Sequence, residues 1–230
     1  MAGVDPVGPC AGSPDPAHSW GALSLVHGRV IVKLDAPMTI DVAEEPMTAL
    51  ADYALLPIAF RVDHVLDVTA RADGGFDLSA RRLEIPYVKD YDAVDGEGPL
   101  HWKRRFDVSN WTLFTARVAG SRVGGATVAF NTPWLTMLEG RRDLSVLWDI
   151  RVAADARGKG IGSALFERVE AWAQAQGCRQ LKVETQNVNV RACGFYARHG
   201  CQLRAVHHAA YPELPDEIQL LWYKDLRIAR

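Results

Sequence analysis

The chain has 230 residues, of which 48% are hydrophobic and 23% are charged, a composition typical of a globular protein with one or two domains. Its 26 basic and 28 acidic residues give a net charge of −2, which argues against a nucleic-acid partner. No apolar segment reaches the roughly 18 residues that a membrane-spanning helix needs, so we expect no membrane association.

The first twenty residues are rich in proline and glycine, and they lack the basic start and the apolar run of a signal peptide. We therefore expect a flexible leader at residues 1–20, one domain at residues 21–230 with its core at 58–225, and a cytoplasmic location. The cysteines form no C-x-x-C pair and show no metal-ligand spacing, which predicts free thiols and no metal site at Cys10, Cys178, Cys193 and Cys201.

The first half of the domain has the pattern of an antiparallel sheet. An acidic start followed by apolar residues at helical spacing predicts a short helix at residues 45–55. After it come apolar segments of strand length, most of them joined by glycine-containing turns. We predict a hairpin of 59–69 with 76–83, a hairpin of 111–118 with 122–130, and a further strand at 144–152.

The pattern changes after Val152, where apolar residues recur at helical spacing over 161–173 and the helix ends at Gly177. A strand at 181–185 follows, so strand, crossover helix and parallel strand succeed one another. A second helix ends at Gly200 and leads into two final strands, at 202–206 and 218–223. The sequence therefore predicts a mixed α/β (α+β) domain, with helices packed on its sheet.

A glycine-rich turn, Gly158-Lys159-Gly160-Ile161-Gly162, separates the strand at 144–152 from the long helix. A strand that enters a helix through glycines presents unpaired N–H groups and the positive end of the helix dipole. The turn is thus suited to bind a pyrophosphate, with Arg157 and Lys159 adding positive charge. A flexible basic turn without a ligand is the alternative.

The spacing of this turn disfavours two common phosphate-binding loops. A P-loop needs G-x-x-x-x-G-K-[ST], whereas Lys159 precedes the last two glycines and no hydroxyl follows it. A dinucleotide-binding G-x-G-x-x-G needs a third glycine where Ser163 stands. Glu184 follows the glycines at a sequence separation that suits the acidic residue that binds a ribose, but the strands upstream are predicted to be antiparallel.

Two motifs in order resemble the GNAT acetyltransferase superfamily: R-x-x-G-x-G at 157–162, and N-x-x-A-x-x-[FL]-Y at 189–196 followed by His199-Gly200. The resemblance covers residues 111–223. It implies a GNAT-like fold, with helices on both faces of a mostly antiparallel sheet and a central strand-helix-strand unit, and acetyl-CoA as co-substrate. The residues that it implies for acetyl-CoA binding are Ile150, Arg151, Val152, Arg157, Gly158, Lys159, Gly160, Ile161, Gly162, Ser163, Asn189, Ala192 and Tyr196.

Further segments resemble streptothricin acetyltransferases, which acetylate an amine of a cationic antibiotic. They include 60–65, 75–81, 89–91, 183–186 and 217–223, whereas the leader and residues 21–57 depart from that family. The resemblance implies a small cationic amine substrate and a homodimer. A GNAT enzyme for another polyamine or for a protein amine, and a non-catalytic acyl-CoA-binding module, are the alternatives.

The resemblance also implies catalytic roles. Glu184 would be the base that deprotonates the amine, with Asp149 as competitor, although either carboxylate could instead hold the substrate cation or form a structural ion pair. Tyr196 would be the general acid unless it is a core residue, and the Val152 N–H would bind the oxyanion. Asn189 would bind the pantetheine arm, cap its helix, or do both.

Acidic and tyrosine residues concentrate in two segments, 87–97 and 211–217. A cationic substrate would bind to such groups through charge and through cation–π contact. We expect both segments near the acceptor site, although solvated acidic loops would have the same composition.

Overall fold

A computed structural model describes residues 23–26, 29–32, 39–94 and 96–226. The chain divides into two compact units, Met1–Met38 and Thr39–Arg230. In the first unit, β1 (Leu23–Val26) and β2 (Arg29–Val32) form an antiparallel hairpin. The predicted leader at 1–20 and Cys10 lie outside the described residues.

The second unit contains runs of one to three strands separated by short or long α-helices. Its elements are β3 (Ile40–Glu45), α1 (Leu50–Tyr53), β4 (Phe60–Ala70), β5 (Phe76–Lys89), α2 (Pro99–Arg105), β6 (Thr112–Val118), β7 (Ser121–Phe130), β8 (Leu144–Val152), α3 (Ile161–Ala175), β9 (Gln180–Gln186), α4 (Val190–Arg198), β10 (Gln202–His207) and β11 (Gln219–Asp225). Short 3-10 turns lie at Met47–Ala49, Thr136–Leu138 and Ala154–Ala156.

The main sheet has the strand order β10-β11-β9-β8-β7-β6-β3. Its neighbours are antiparallel except β8 and β9, which are parallel and joined by α3. This arrangement confirms the predicted strand-helix-strand unit in a mostly antiparallel sheet. The core of α3 packs on one face of the sheet, and the buried Tyr53 of α1 and Trp102 of α2 pack on the other, so helices cover both faces.

Strands β4 and β5 form a separate two-stranded ribbon, which confirms the first predicted hairpin with a second strand that extends to Lys89. Asn187, just after β9, attaches the ribbon to the main sheet. Its backbone carbonyl accepts from the Leu66 N–H (3.0 Å), its side-chain amide donates to the Leu66 carbonyl (3.2 Å), and its Oδ1 accepts from the Ile218 N–H (2.9 Å). The middle of β4 is thereby attached to the segment that follows β9.

The helix predicted at 45–55 is wrong in its first part. Glu45 lies in β3, where its carboxylate accepts hydrogen bonds from Arg117 (2.6 Å), Arg122 (2.8 Å) and Thr115 (2.9 Å). Burial alone would raise the pKa of Glu45, but these bonds outweigh it and hold the pKa below its ordinary value. Helical structure is confined to the 3-10 turn at 47–49 and to α1.

The sequence analysis missed α2, although a signal for it was present. Gly98 precedes the helix with φ of +82° and Pro99 occupies its first position, the place where proline is best tolerated in a helix. Trp102 is buried there beside Tyr53 and Trp111 (ring centroids 6.2 and 6.1 Å). This cluster forms the core on the sheet face opposite to α3.

Two further observations concern the residues that the structure describes. None of their helices is long and apolar enough to cross a bilayer. Cys178, Cys193 and Cys201 are buried free thiols.

Candidate active site

Strands β8 and β9 separate part-way along their length. They pair from Leu144 with Gln180 to Leu147 with Val183, and the pairing ends there although β8 continues to Val152. Trp148 has no partner in β7, because the register with β7 shifts between Leu147 and Asp149. This bulge turns β8 away from β9 and opens a cleft lined by backbone groups that an extended ligand can bind like an added strand.

The N–H of Val152 faces this cleft. The N–H of the next residue, Ala153, donates to the carbonyl of Val123 in β7 (2.9 Å), and successive residues of a strand face opposite sides. The Val152 carbonyl, on the cleft side, accepts from Arg157 Nε (3.0 Å). The orientation of Val152 therefore suits the predicted oxyanion donor.

Gly158 and Gly160 shape the turn before α3. Both have left-handed backbone conformations, with φ of +78° and +84°, and no side chain caps the start of α3. A Cβ at Gly158 would meet nothing within 4 Å and one at Gly160 only Ile40 Cδ1 at 3.9 Å, so the turn is open to a ligand. Gly162 differs, because it faces α4 and a Cβ there would be in van der Waals contact with the Phe195 ring, 3.4 Å away.

Two other predicted cradle side chains, those of Arg157 and Ser163, have partners within the protein, whereas Lys159 has none among the described residues. The Arg157 guanidinium donates to the carbonyls of Val152 and Ala59 (3.1 Å), yet Arg157 still lines the cavity described below. The Ser163 hydroxyl bonds to His199 Nε2 (3.1 Å). Lys159 is exposed and forms no ion pair with a described carboxylate.

Helix α4 brings three predicted residues to the same cavity: Asn189, Ala192 and Tyr196. Asn189 Oδ1 accepts from the Ala192 N–H (3.2 Å), so its capping role is present in the structure. Tyr196 is 4% exposed, and its hydroxyl forms no hydrogen bond with the described residues. Burial raises the pKa of Tyr196 well above its ordinary value, so the phenol stays protonated at neutral pH.

The cleft widens into a cavity of about 580 Å³ that reaches both segments predicted near the acceptor site. Five described carboxylates line it, and four of them pair with a cationic side chain within 3 Å. The pairs are Asp92 and Asp149 with Arg151, Glu97 with Arg105, and Glu217 with Lys89, which leaves Glu184.

Arg151 is the centre of a buried ion cluster that the sequence analysis missed. Its side chain, 1% exposed, donates to both oxygens of Asp92 (2.5 and 2.9 Å), to Asp149 Oδ2 (2.8 Å) and to the Leu56 carbonyl (3.1 Å). The guanidinium also lies over the Tyr53 ring, 5.3 Å from its centroid. Arg151 thus joins β8 to two loops, while its backbone remains at the cleft.

Asp149, the competitor for the base, is held by this cluster. Its side chain is 6% exposed, Oδ2 bonds to Arg151, and Oδ1 has no partner among the described residues. Burial raises the pKa of Asp149 above its ordinary value, and Arg151 opposes that shift.

Glu184 has a different environment, at the point where β9 stops pairing with β8. Its Oε1 accepts a hydrogen bond from the Tyr211 hydroxyl (2.5 Å), and among the described residues no cation contacts it. Tyr211 in turn contacts Gln186, which the sequence analysis quoted only as part of a motif. Glu184 is therefore fixed in position yet electrostatically uncompensated.

Residues 80–201 match the profile of the acetyltransferase (GNAT) family. The chain belongs to the GNAT acetyltransferase family. Streptothricin acetyltransferase A of Bacillus subtilis (strain 168) is 40% identical over 158 residues, which are 68% of this chain and 83% of that protein. Streptothricin acetyltransferase of Escherichia coli is 30% identical over 167 residues, which are 71% of this chain and 84% of that protein.

A solved structure establishes the same fold. It is a Bacillus anthracis (strain Ames) protein in complex with acetyl coenzyme A, whose streptothricin acetyltransferase function is itself an inference. Its TM-score is 0.67 at 20% identity, and the match covers 82% of this chain and 100% of that chain.

The GNAT chain is an acetyl-CoA-dependent N-acetyltransferase. Its described residues fit the cofactor, because open glycines and uncapped amides at the start of α3 suit a pyrophosphate and the unpaired β8 edge suits a pantetheine arm.

Proposed function

We propose that this GNAT enzyme acetylates a primary amine of a small cationic molecule, with a streptothricin-type antibiotic as its substrate. The observation that carries the proposal is Glu184, the described cavity carboxylate that no cationic side chain neutralises. An ammonium group would supply the missing positive charge. The 40% identity to a streptothricin acetyltransferase supports the antibiotic as the source of that ammonium group.

The charges around the cavity favour two ligands of opposite sign. Arg157 and Arg191, which line the cavity near the starts of α3 and α4, form no ion pair with described carboxylates and suit the phosphates of acetyl-CoA. Glu184 lies across the cleft on β9 and suits a cation. This separation would orient the two substrates toward each other.

Each step then has a residue in place. A lysine-like amine has a pKa of about 10.4, so only about one molecule in 2,500 is neutral at pH 7 and a base is needed. Glu184 takes a proton from the ammonium group, the Val152 N–H donates to the oxyanion, and Tyr196 gives its proton to the leaving thiolate. Bound acetyl-CoA supplies the thioester that the neutral amine attacks.

The protons balance over one turnover. The ammonium group loses two protons as its nitrogen becomes an amide. One restores the Tyr196 phenol after the thiolate has been protonated, and the other leaves Glu184 for solvent. The C–N bond forms first and gives the tetrahedral oxyanion, the C–S bond then breaks as the carbonyl re-forms, and the products are the acetylated amine, free CoA thiol and one proton.

We further propose a cytoplasmic location, because acetyl-CoA is an intracellular metabolite. The buried free thiols of Cys178, Cys193 and Cys201 agree with a reducing compartment.

The direct test is to incubate the protein with acetyl-CoA and a panel of cationic antibiotics and polyamines, and to follow thiol release and product mass. We expect a gain of one acetyl group on the streptothricin-type compound. Turnover of a different amine alone would reject the antibiotic and keep the amine acetyltransferase. Absence of thiol release with every amine would reject the proposed function.

A further inference from the structure

Four polar side chains form a chain of hydrogen bonds along the acceptor side of the cavity. The Tyr91 hydroxyl contacts Gln186 Oε1, Gln186 Nε2 lies 2.8 Å from the Tyr211 hydroxyl, and that hydroxyl lies 2.5 Å from Glu184 Oε1. The members come from three separate parts of the chain: the segment after β5, the strand β9, and the connection between β10 and β11.

When Glu184 is ionised, only one assignment of donor and acceptor is possible in each of these hydrogen bonds. A carboxylate only accepts, so Tyr211 donates its single proton to Glu184. Its oxygen must then accept from the amide nitrogen of Gln186, which turns the amide oxygen toward Tyr91. If the Gln186 amide were flipped, its oxygen would accept the Tyr211 proton. The oxygens of Tyr211 and Glu184 would then face each other with no proton between them.

Both phenols keep their protons under working conditions. Burial raises the pKa of Tyr211 well above its ordinary value, and the charge of Glu184 adds to the shift. Burial and the charge of Glu217 do the same to the pKa of Tyr91. The chain therefore remains a row of donors that ends at Glu184.

Neighbouring contacts hold these four hydrogen-bonded side chains in place. Lys89, at the end of β5, forms a buried ion pair with Glu217 (2.5 Å), which joins the same two segments that carry Tyr91 and Tyr211. The Phe60 ring lies against Tyr91 (5.8 Å between centroids) and Lys89 Nζ lies 5.4 Å from the Tyr91 centroid.

We propose that Gln186 is a positioning residue for the acetyl transfer. Its amide fixes the direction of the hydrogen-bond chain, so that Tyr211 always donates to Glu184 and holds that carboxylate ready to accept the substrate proton. The inference rests on the proposed role of Glu184 as base. Gln186 acts through Tyr211 and itself transfers no proton.

Gln186→Glu separates this role from a merely structural one. Glutamate matches glutamine in shape, so a structural role predicts little loss for Gln186→Glu and more for Gln186→Leu. Our proposal predicts the reverse. A carboxylate at 186 accepts from both phenols, draws Tyr211 away from Glu184 and adds a like charge, whereas leucine leaves Tyr211 free to donate.

We expect Gln186→Glu to lower kcat at least 10-fold at pH 7, with the acidic midpoint of the kcat profile raised by about one pH unit or more. Gln186→Leu should lower kcat only a few-fold, and KM for acetyl-CoA should stay unchanged in both. Gln180→Glu is the matched control, because it adds the same charge to the same strand, where Gln180 bonds to Arg141 and Asp225 away from the cavity. It should leave kcat unchanged.

The Glu184→Gln background distinguishes failure of this inference from failure of the base assignment. If Gln186→Glu acts through Glu184, its effect on kcat should disappear in that background. An equal loss in both backgrounds, or a greater loss for leucine than for glutamate at 186, would overturn the inference. If Glu184→Gln alone leaves the rate unchanged, the base assignment fails.

Tyr91→Phe provides a second variant should Gln186→Glu not fold. It keeps the ring beside Phe60 and removes the donor that orients the amide. We expect a several-fold loss of kcat that also requires Glu184, and full activity would overturn the inference.

Discussion

Replacing Arg151 by methionine is the sharpest test of how the acceptor side of the cavity is held together. The change removes the one guanidinium shared by Asp92 and Asp149, together with its bond to the Leu56 carbonyl (3.1 Å). Methionine keeps most of the apolar volume, so the loss is mainly electrostatic. Asp149, 6% exposed, would be left without a counter-charge.

Removal of one partner from a buried ion pair costs about 3–5 kcal/mol, and we expect a loss of unfolding free energy in this range at pH 8. The loss should shrink in acid. Burial already raises the folded-state pKa of Asp149 and Arg151 opposes that shift, so the variant raises it further. A carboxyl group whose pKa is higher in the folded state destabilises the fold fully above that pKa, and this penalty shrinks as the pH falls from the folded-state pKa toward the lower unfolded-state pKa.

The assay is urea unfolding followed by tryptophan fluorescence at pH 8 and pH 5, since Trp102, Trp111 and Trp148 lie in or against the neighbouring core. Arg81→Met is the control, because its ion pair with Asp67 is about half exposed, with side chains 58% and 49% accessible, and its removal should matter little. A loss below about 1 kcal/mol at pH 8, or the same loss at both pH values, would refute the reasoning.

Two further predictions concern the chemistry and the cofactor. Tyr196→Phe removes a hydroxyl that has no hydrogen-bond partner among the described residues, so the variant should keep its stability and its affinity for acetyl-CoA. Its kcat, measured by thiol release, should fall about 100-fold. Wild-type turnover would mean that Tyr196 is only a core residue. Gly160→Ala and Gly177→Ala impose the same left-handed strain, about 1–2 kcal/mol, at opposite ends of α3, and both have room for a Cβ. In calorimetry only Gly160→Ala should lose acetyl-CoA affinity, by at least about 10-fold through the blocked approach, and equal affinities would contradict the cradle.

The elements that sequence could predict are those whose signals are local. The hairpin around Gly120 and the helix between Gly160 and Gly177 are set by periodicity and by turn residues within a few positions. Strand β3 has no such signal, because Glu45 is held by Arg117 and Arg122, 72 and 77 residues away. Its local pattern therefore resembled the start of a helix.

The candidate site also contains features that the sequence could predict and features that it could not. The glycine turn was predictable because its function rests on backbone conformation at Gly158 and Gly160. The Arg151 cluster was not, since its partners Asp92 and Leu56 lie 59 and 95 residues away and burial decides its charge balance. Sequence indicated Glu184 as a base, but only the pairing of the surrounding carboxylates distinguishes it from Asp149.

The pH–rate profile of Glu184→Gln, compared with Asp149→Asn and wild type on a streptothricin-type amine, tests the central claim most directly. If Glu184 is the base, Glu184→Gln should lose most of its kcat near pH 7 and regain it as the pH approaches about 10.4, where the amine is already neutral. Asp149→Asn should retain the wild-type profile. A loss in Glu184→Gln that is the same at every pH, or a rise in KM alone, would contradict the claim.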